Sequence, residues 1–101
     1  MNIVTFCDVD DQVIEAKHSV EYFPSGSSGN ADIAILDINT IFDFEENKVA
    51  ACKEKFVSVA IVEDESDYDA FKNFGIDSWI EKDQLGEING LLTLLEKRFL
   101  S

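Results

Sequence analysis

The sequence predicts an α/β protein built on a parallel sheet. The first observation is the stretch 31–39, in which four consecutive apolar residues from Ile33 to Leu36 end abruptly on Asp37. An apolar run this short is typical of a strand that is buried on both faces, as strands of parallel sheets are. The second observation is that strand-like and helix-like stretches alternate from residue 31 onward, which predicts parallel strands joined by crossover helices.

Short apolar runs place the strands of this sheet. The predicted strands cover residues 3–7, 20–23, 33–37, 57–62 and 78–80. Pro24 ends the second of them because proline cannot donate a hydrogen bond to a neighbouring strand, and residues 25–30 form a loop of Ser, Gly and Asn. Residues 12–19 leave two alternatives open, a short helix or an extended segment that returns from a turn at Asp10 and Asp11.

Three helices are predicted between and after these strands. They cover residues 43–56, 66–74 and 83–99. The first carries an apolar stripe at helical spacing, formed by Val49, Cys52 and Phe56. Ser66 and Asp69 have the spacing of a variant capping box at the start of the second helix. Asp83 is expected to cap the third helix.

The composition indicates a single domain, residues 1–101, with an acidic surface. The chain has 101 residues and a formal net charge of −13, from 21 acidic and 8 basic residues. We expect neither nucleic-acid nor membrane binding, because phosphates and anionic lipids repel such a surface. The charge instead suits basic partners or divalent cations.

The two cysteines and the single histidine bear on the cellular location and on the kinds of site that the sequence predicts. Cys7 and Cys52 lie in apolar surroundings, and no apolar run approaches the length that spans a membrane. The sequence therefore predicts a cytoplasmic protein with reduced thiols. Since His18 is the only histidine and no CxxC motif is present, a zinc site and histidine-based catalysis are not expected.

Charged residues end three of the predicted strands, and they define the candidate site. Asp8 follows the first strand, Asp37 ends the third, and Lys82 follows the last. The carboxyl ends of parallel strands share one edge, where open α/β sheets bind their ligands. Asp10 or Asp11 would add a further carboxylate to this edge.

Clustered carboxylates at such an edge are the ligands that Mg²⁺ prefers. A metal ion and Lys82 could neutralise a phosphoryl group while one carboxylate attacks phosphorus. An Asp at the end of a strand is also common as the cap of a following helix or turn. The stretch around Asp37 leaves both interpretations open.

Residues 74–82, Phe-Gly-Ile-Asp-Ser-Trp-Ile-Glu-Lys, are similar to the Gly-Ala-Asp-Asp-Tyr-aliphatic-x-Lys signature of response-regulator receiver domains. Residues 31–39 resemble the strand that carries the phosphoacceptor aspartate of that family, and residues 85–98 resemble its last helix in pattern. The resemblance implies a flavodoxin-like or CheY-like parallel sheet flanked by helices. Because the interval from Asp8 to Asp37 is too short for a helix, a strand and a second helix, the first helix, the second helix or both must be shortened or missing.

The resemblance also implies roles for individual residues. Asp37 would be the phosphoacceptor and would bind Mg²⁺ together with Asp8. Asn39 would offer its backbone carbonyl to the metal, and Lys82 would pair with the phosphoryl group. Trp79 would take the aromatic switch position of the family.

Two departures from the family pattern affect the chemistry. The family's acidic pair after the first strand aligns with Cys7 and Asp8, so one acid is missing unless Asp10 or Asp11 substitutes for it. The hydroxyl residue that senses the phosphoryl group aligns with Val62 or Glu63, and a glutamate there would repel a phosphoryl group.

These departures favour an atypical receiver, or pseudo-receiver, that acts as a protein-interaction module and not as an enzyme. The implied partner is a histidine kinase or another signalling protein, with a possible homodimer through residues 66–99. The alternative is a fully phosphorylatable, Mg²⁺-dependent receiver that a histidine kinase switches. A remote third interpretation is a small phosphatase, because residues 8–14 and 37–42 each faintly resemble the nucleophile loop of haloacid-dehalogenase-type enzymes.

Overall fold

The protein folds around a sheet whose strands all run in the same direction. The computed structural model describes residues 1–10 and 12–100, and all of their side chains except that of Leu100. The strands in these residues are β1 (Asn2–Thr5), β2 (Ser19–Tyr22), β3 (Ala31–Asp37), β4 (Cys52–Val62) and β5 (Ser78–Glu81). Their spatial order is β2-β1-β3-β4-β5, and every neighbouring pair is parallel. This is the order of flavodoxin-like and CheY-like sheets, and it confirms the predicted fold class.

Helices follow the central strands but not the first two. The α-helices of the described residues are α1 (Ile41–Ala51), α2 (Asp67–Asn73) and α3 (Ile88–Leu95), and a π-helical turn, Glu96–Leu100, continues α3. The β1–β2 connection has no helix in its described residues, and the β2–β3 connection has only the 3₁₀ turn Phe23–Ser25. Both of the first two crossover helices are therefore reduced to loop. None of the helices that the structure describes has the length and apolar character needed to cross a bilayer.

The hydrophobic core lies on both faces of the sheet, and β3 contributes to each half. Ile33 and Ile35 pack in the cluster that α3 covers, whereas Ala34 and Leu36 pack in the cluster that α1 and α2 cover. All four residues are fully buried. The short apolar run therefore forms the doubly buried strand that its length predicts.

The predicted helix 43–56 is wrong in its last turn. Helix α1 ends at Ala51, and β4 begins at Cys52, which pairs with Ala31 of β3. Val49, which the predicted apolar stripe would bury, is 87% exposed. Cys52 and Phe56 are four residues apart, a spacing that fits one face of a strand as well as one face of a helix.

The predicted helix starts also need correction. Ser66 is the N-cap residue of α2, but within the described residues its side chain makes no capping hydrogen bond. Asp67 instead holds the loop, because its Oδ2 accepts the backbone amides of the two residues after β4, each at 3.2 Å. Asp83 does not cap the last helix, since residues 82–87 form a 3₁₀ turn and α3 begins after it.

Candidate functional site

Charged residues lie at or just after the carboxyl ends of four strands of the sheet. Asp37 is the last residue of β3 and is half-buried. Asp8 lies after β1, Glu63 directly after β4, and Lys82 directly after β5. Since all four strands are parallel, these residues share one edge.

The charged residues at this edge shift the pKa values of Lys82 and of the Cys7 thiol. The pKa of Lys82 is raised, first by the hydrogen bond and charge of Glu63 and then by the charge of Asp37. The pKa of the Cys7 thiol is raised to about 12, first by burial, then by the charge of Asp37, and less by Asp8 and Glu63. The charges of Asp37, Asp8 and Glu63 therefore act on a buried thiol, and those of Glu63 and Asp37 act on Lys82.

The carboxylate of Asp37 caps the turn that follows it. Its Oδ1 accepts hydrogen bonds from the backbone nitrogen of Thr40 at 3.0 Å and from the Thr40 hydroxyl at 2.9 Å. In return, the backbone nitrogen of Asp37 donates to Oγ1 of Thr40 at 3.1 Å. This is a reciprocal capping box, so the structure gives Asp37 the capping role that the sequence left open.

The ammonium group of Lys82 is held by the acid at the end of the adjacent strand. Its Nζ donates to Oε1 of Glu63 at 2.6 Å. The two side chains are 64% and 39% exposed, so solvent screens the pair. The cation that the resemblance assigns to a phosphoryl group therefore already has an anionic partner within the protein.

The other predicted metal ligands are spread along the loops of this edge. Asp10 is exposed, and its Oδ1 accepts the backbone nitrogen of Gln12 at 3.0 Å, which closes a local turn. Asn39 is exposed in the 3₁₀ turn Ile38–Thr40. Asp11 lies outside the described residues.

Few side chains at this edge could bind a magnesium ion. Asp8 and Asp37 supply two carboxylates, which is the number that a mostly hydrated Mg²⁺ uses. One oxygen of Asp37 is already bound by Thr40, and the protonated Cys7 thiol is a poor ligand for a hard cation. Among residues 1–10 and 12–100, no group of three or more His, Cys, Asp or Glu side chains is arranged to hold a metal ion. The Mg²⁺ site stays a prediction.

The two predicted switch residues lie in different surroundings. Glu63 pairs with Lys82, as described above. Trp79 of β5 is 40% exposed and meets the ring of Tyr68 in α2 edge-on, with the ring centroids 5.7 Å apart. The Tyr68 hydroxyl in turn donates to Oε1 of Glu81 at 3.4 Å.

Two open grooves lie along this part of the surface. One, of about 450 Å³, extends from Tyr68 past Glu63 to Lys82. The other, of about 690 Å³, is lined by Tyr68, Trp79 and Leu91 among others. Tyr68 lines both, so the grooves adjoin the candidate site and continue along β5.

Two residues that position the site were missed by the sequence reasoning. Thr40 holds Asp37, and the signal was present, because an Asp followed three residues later by a hydroxyl residue has capping-box spacing. Asp67 is 7% exposed and holds the backbone amides of Glu63 and Asp64. In the sequence, the only sign that Asp67 binds these amides was its position three residues after Asp64.

Comparisons with protein-family models, with curated proteins and with solved structures find no match to this chain.

Proposed function

We propose that this chain is an atypical receiver-like domain, a pseudo-receiver, that acts as a protein-interaction module in two-component signalling and not as an enzyme. The observation that carries the proposal is the pair of contacts made by Asp37 and Lys82. Oδ1 of Asp37 is bound by Thr40, and Nζ of Lys82 is bound by Glu63 at 2.6 Å. The two groups that a phosphoryl group would need therefore already have partners at this edge.

The charge at the site supports the same proposal. A phosphoryl group on Asp37 would add negative charge beside Glu63 and Asp8, whose charges already act on the neighbouring Cys7 thiol. Lys82 is the one cation that acts within this described group, and Glu63 neutralises it. A stable unphosphorylated state is therefore favoured.

The surface of residues 66–99 is the proposed contact with partners. Trp79 is 40% exposed beside a groove of about 690 Å³ that includes Leu91 in its lining. Exposed aromatic rings beside a groove are typical of interaction sites. The proposed partners are a histidine kinase or another signalling protein, or a second copy of the chain in a homodimer. The net charge of −13 disfavours nucleic acids and membranes as partners.

A cytoplasmic location is part of the proposal. Both cysteines are free and buried. Reduced thiols of this kind are typical of cytosolic proteins.

The test is phosphorylation by a small donor. The protein is incubated with acetyl phosphate over a wide range of Mg²⁺ concentrations, and its intact mass is measured beside that of Asp37→Asn. We expect no gain of a phosphoryl group in either protein, and no joint change in the amide signals of Asp8, Asp37 and Lys82 when beryllofluoride and Mg²⁺ are added. A Mg²⁺-dependent mass gain that Asp37→Asn abolishes would overturn the proposal.

The second candidate is a phosphorylatable, Mg²⁺-dependent receiver, and one observation favours it. Asp37 ends the central strand, and its charge raises the pKa of Lys82. In that reaction a carboxylate oxygen of Asp37 would attack phosphorus, the bond from phosphorus to the donor oxygen would break, and acetate would leave. The variant Glu63→Thr frees Lys82 from its ion pair. If the chain is a phosphorylatable receiver, this variant is expected to raise phosphorylation of Asp37. If the chain is a pseudo-receiver, phosphorylation is expected to stay undetectable.

The remote phosphatase interpretation has a separate assay. It requires release of phosphate from a generic phosphomonoester, with loss of that activity in Asp10→Asn. We expect none, because Asp10 is an exposed turn residue whose Oδ1 is bound to Gln12.

A further inference from the structure

Strand β2 lies at one edge of the sheet, and no α-helix of the described residues directly precedes or follows it. Parallel sheets normally carry helices on both faces because their connections cross over them. Here the described residues of the β1–β2 connection contain no helix, and the β2–β3 connection has only the turn Phe23–Ser25. Strand β2 therefore has no α-helix next to it in the described sequence, whereas Ile3, Val4 and Thr5 of β1 are buried.

The two faces of β2 differ in how far the rest of the chain covers them. On the face of Glu21, the following loop folds back: Oε2 accepts the backbone nitrogen of Ser28 at 3.0 Å and Oε1 accepts its hydroxyl at 2.6 Å. Phe23 then stacks on Phe6, with the ring centroids 4.7 Å apart. The chain itself therefore covers this face.

The opposite face of β2 is only partly covered. Val20 pairs with Ile3 and Tyr22 pairs with Thr5, so both side chains lie on the side of the sheet where Ile3 packs with the α3 cluster. Val20 and Tyr22 are each 40% exposed. These two side chains of a parallel strand are therefore partly accessible to solvent.

Two adjoining hollows lie beside these two residues. One part, of about 290 Å³, is lined by Thr5, Asp8, Val9, Val20 and Tyr22. The other part, of about 260 Å³, includes Val9, Ile14 and Val20 in its lining. Because Val9 and Val20 line both parts, the two hollows adjoin, and together they form a groove whose lining mixes apolar side chains, among them Val9, Ile14 and Val20, with polar ones.

Acidic residues surround this groove. Asp8 lines one part, and Asp10 and Glu15 line the other, and all three are exposed. The nearby Lys17 is already paired, with its Nζ 3.6 Å from Oε2 of Glu15. A groove lined by apolar side chains and acidic residues is complementary to an apolar stripe flanked by cations.

We propose that this groove docks a basic amphipathic helix of a partner protein, which takes the place of the absent crossover helix. Side chains two apart in a strand are about 6.7 Å apart, so the spacing of Val20 and Tyr22 is within about 2 Å of the roughly 5–6 Å between helical side chains at i and i+4. Lys or Arg beside that stripe would face Asp8 and Asp10, since Glu15 is already paired with Lys17. A second copy of the chain fits less well, because each copy carries a net charge of −13.

The test uses a designed helical peptide with Leu at i, i+3, i+4 and i+7 and Lys at its other positions. The control peptides are a scramble of the same composition and a version with Glu in place of Lys. The protein variants are the pair Val20→Ser and Tyr22→Ser together, and the matched control Val49→Ser, which removes an 87% exposed apolar side chain from α1.

We expect the basic amphipathic peptide to bind with a salt-dependent affinity and to shift the amide signals of Thr5, Val9 and Val20. The double variant should weaken binding by about tenfold or more, and Val49→Ser should leave it unchanged. Equal binding of the scramble, an equal affinity for the double variant, or shifts elsewhere on the acidic surface would overturn the proposal. So would self-association through β2, or addition of the peptide as a strand. None of these outcomes depends on whether Asp37 accepts a phosphoryl group.

Discussion

The Nζ atom of Lys82 lies 2.6 Å from Oε1 of Glu63, so an ion pair joins the ends of β5 and β4 beside Asp37. The pair is exposed, and its main consequence is electrostatic: the pKa of Lys82 is raised by Glu63 first and by Asp37 second. We therefore expect Glu63→Gln to lower the pKa of Lys82, as measured by NMR titration of the lysine side chains.

A matched control exists for this experiment. Glu45→Gln removes a similar contact, the 2.8 Å pair with Lys48 in α1, and should leave the titration of Lys82 unchanged. An unaltered Lys82 titration in Glu63→Gln would contradict the assignment of this ion pair.

Ser58 and Asp77 join β4 to the start of β5 by three hydrogen bonds. Oδ2 of Asp77 accepts the backbone nitrogen of Ser58 at 2.9 Å and its hydroxyl at 3.0 Å, and Oγ of Ser58 accepts the backbone nitrogen of Asp77 at 3.0 Å. Ser58→Ala removes two of these bonds at a buried position. We expect it to lower the free energy of unfolding by about 1–3 kcal/mol in urea denaturation.

Ser66→Ala is the control for the Ser58 variant. Within the described residues the Ser66 side chain makes no capping bond, so the change should stay within about 0.5 kcal/mol. Equal effects of the two substitutions would show that the Ser58–Asp77 contacts contribute little.

The central strand was predictable from sequence because its signal is local. The four apolar residues 33–36 and the terminal Asp37 are sufficient to identify a buried strand, and the alternation after it identifies parallel connections. The boundary between α1 and β4 was not predictable in this way. Strand β4 begins at Cys52, which pairs with Ala31, a contact between segments that are distant in sequence.

The candidate site was predictable in its placement but not in its contacts. Parallel strands bring Asp37 and Lys82 to one edge, and that follows from the order of elements. The partner of Lys82 is decided by which exposed side chain lies nearest in space, and Glu63 is 19 residues away in sequence. The Asp37–Thr40 cap is local, and its spacing could have been recognised.

The charge of Asp37 contributes to the raised pKa of the Cys7 thiol. Its pKa is raised to about 12 by burial first and by Asp37 second, whereas burial alone raises that of Cys52 to about 11. We expect Asp37→Asn, which keeps a capping oxygen, to lower the pKa of Cys7. The thiolate is the reactive form, so alkylation of Cys7 should become faster and that of Cys52 should not change.

Mass spectrometry of the alkylated peptides measures both cysteines in one experiment. An equal acceleration at Cys7 and Cys52 would indicate general opening of the fold. An unchanged rate at Cys7 would show that Asp37 does not act on this thiol.

His18 gives the fold a pH dependence near neutrality. It is 9% exposed, and the N-terminal ammonium group donates to its Nδ1 at 3.2 Å. Its pKa is lowered by burial first, then by that ammonium group and by Lys17, while Glu96 and Glu15 oppose the shift. Because the unfolded chain takes up the proton at a higher pH than the folded chain does, stability falls as pH drops below about 6.5 and levels off below the lowered pKa.

Comparison with His18→Gln isolates this contribution. As pH falls, the free energy of unfolding of the wild type should decrease relative to that of His18→Gln. The slope of this difference is at most about 1.4 kcal/mol per pH unit for one proton. Since His18 is the only histidine, its imidazole signal gives the pKa directly by NMR. A measured pKa at or above about 6.5 would contradict the neutral, buried state of His18, because burial and the adjacent ammonium group both disfavour the charged ring.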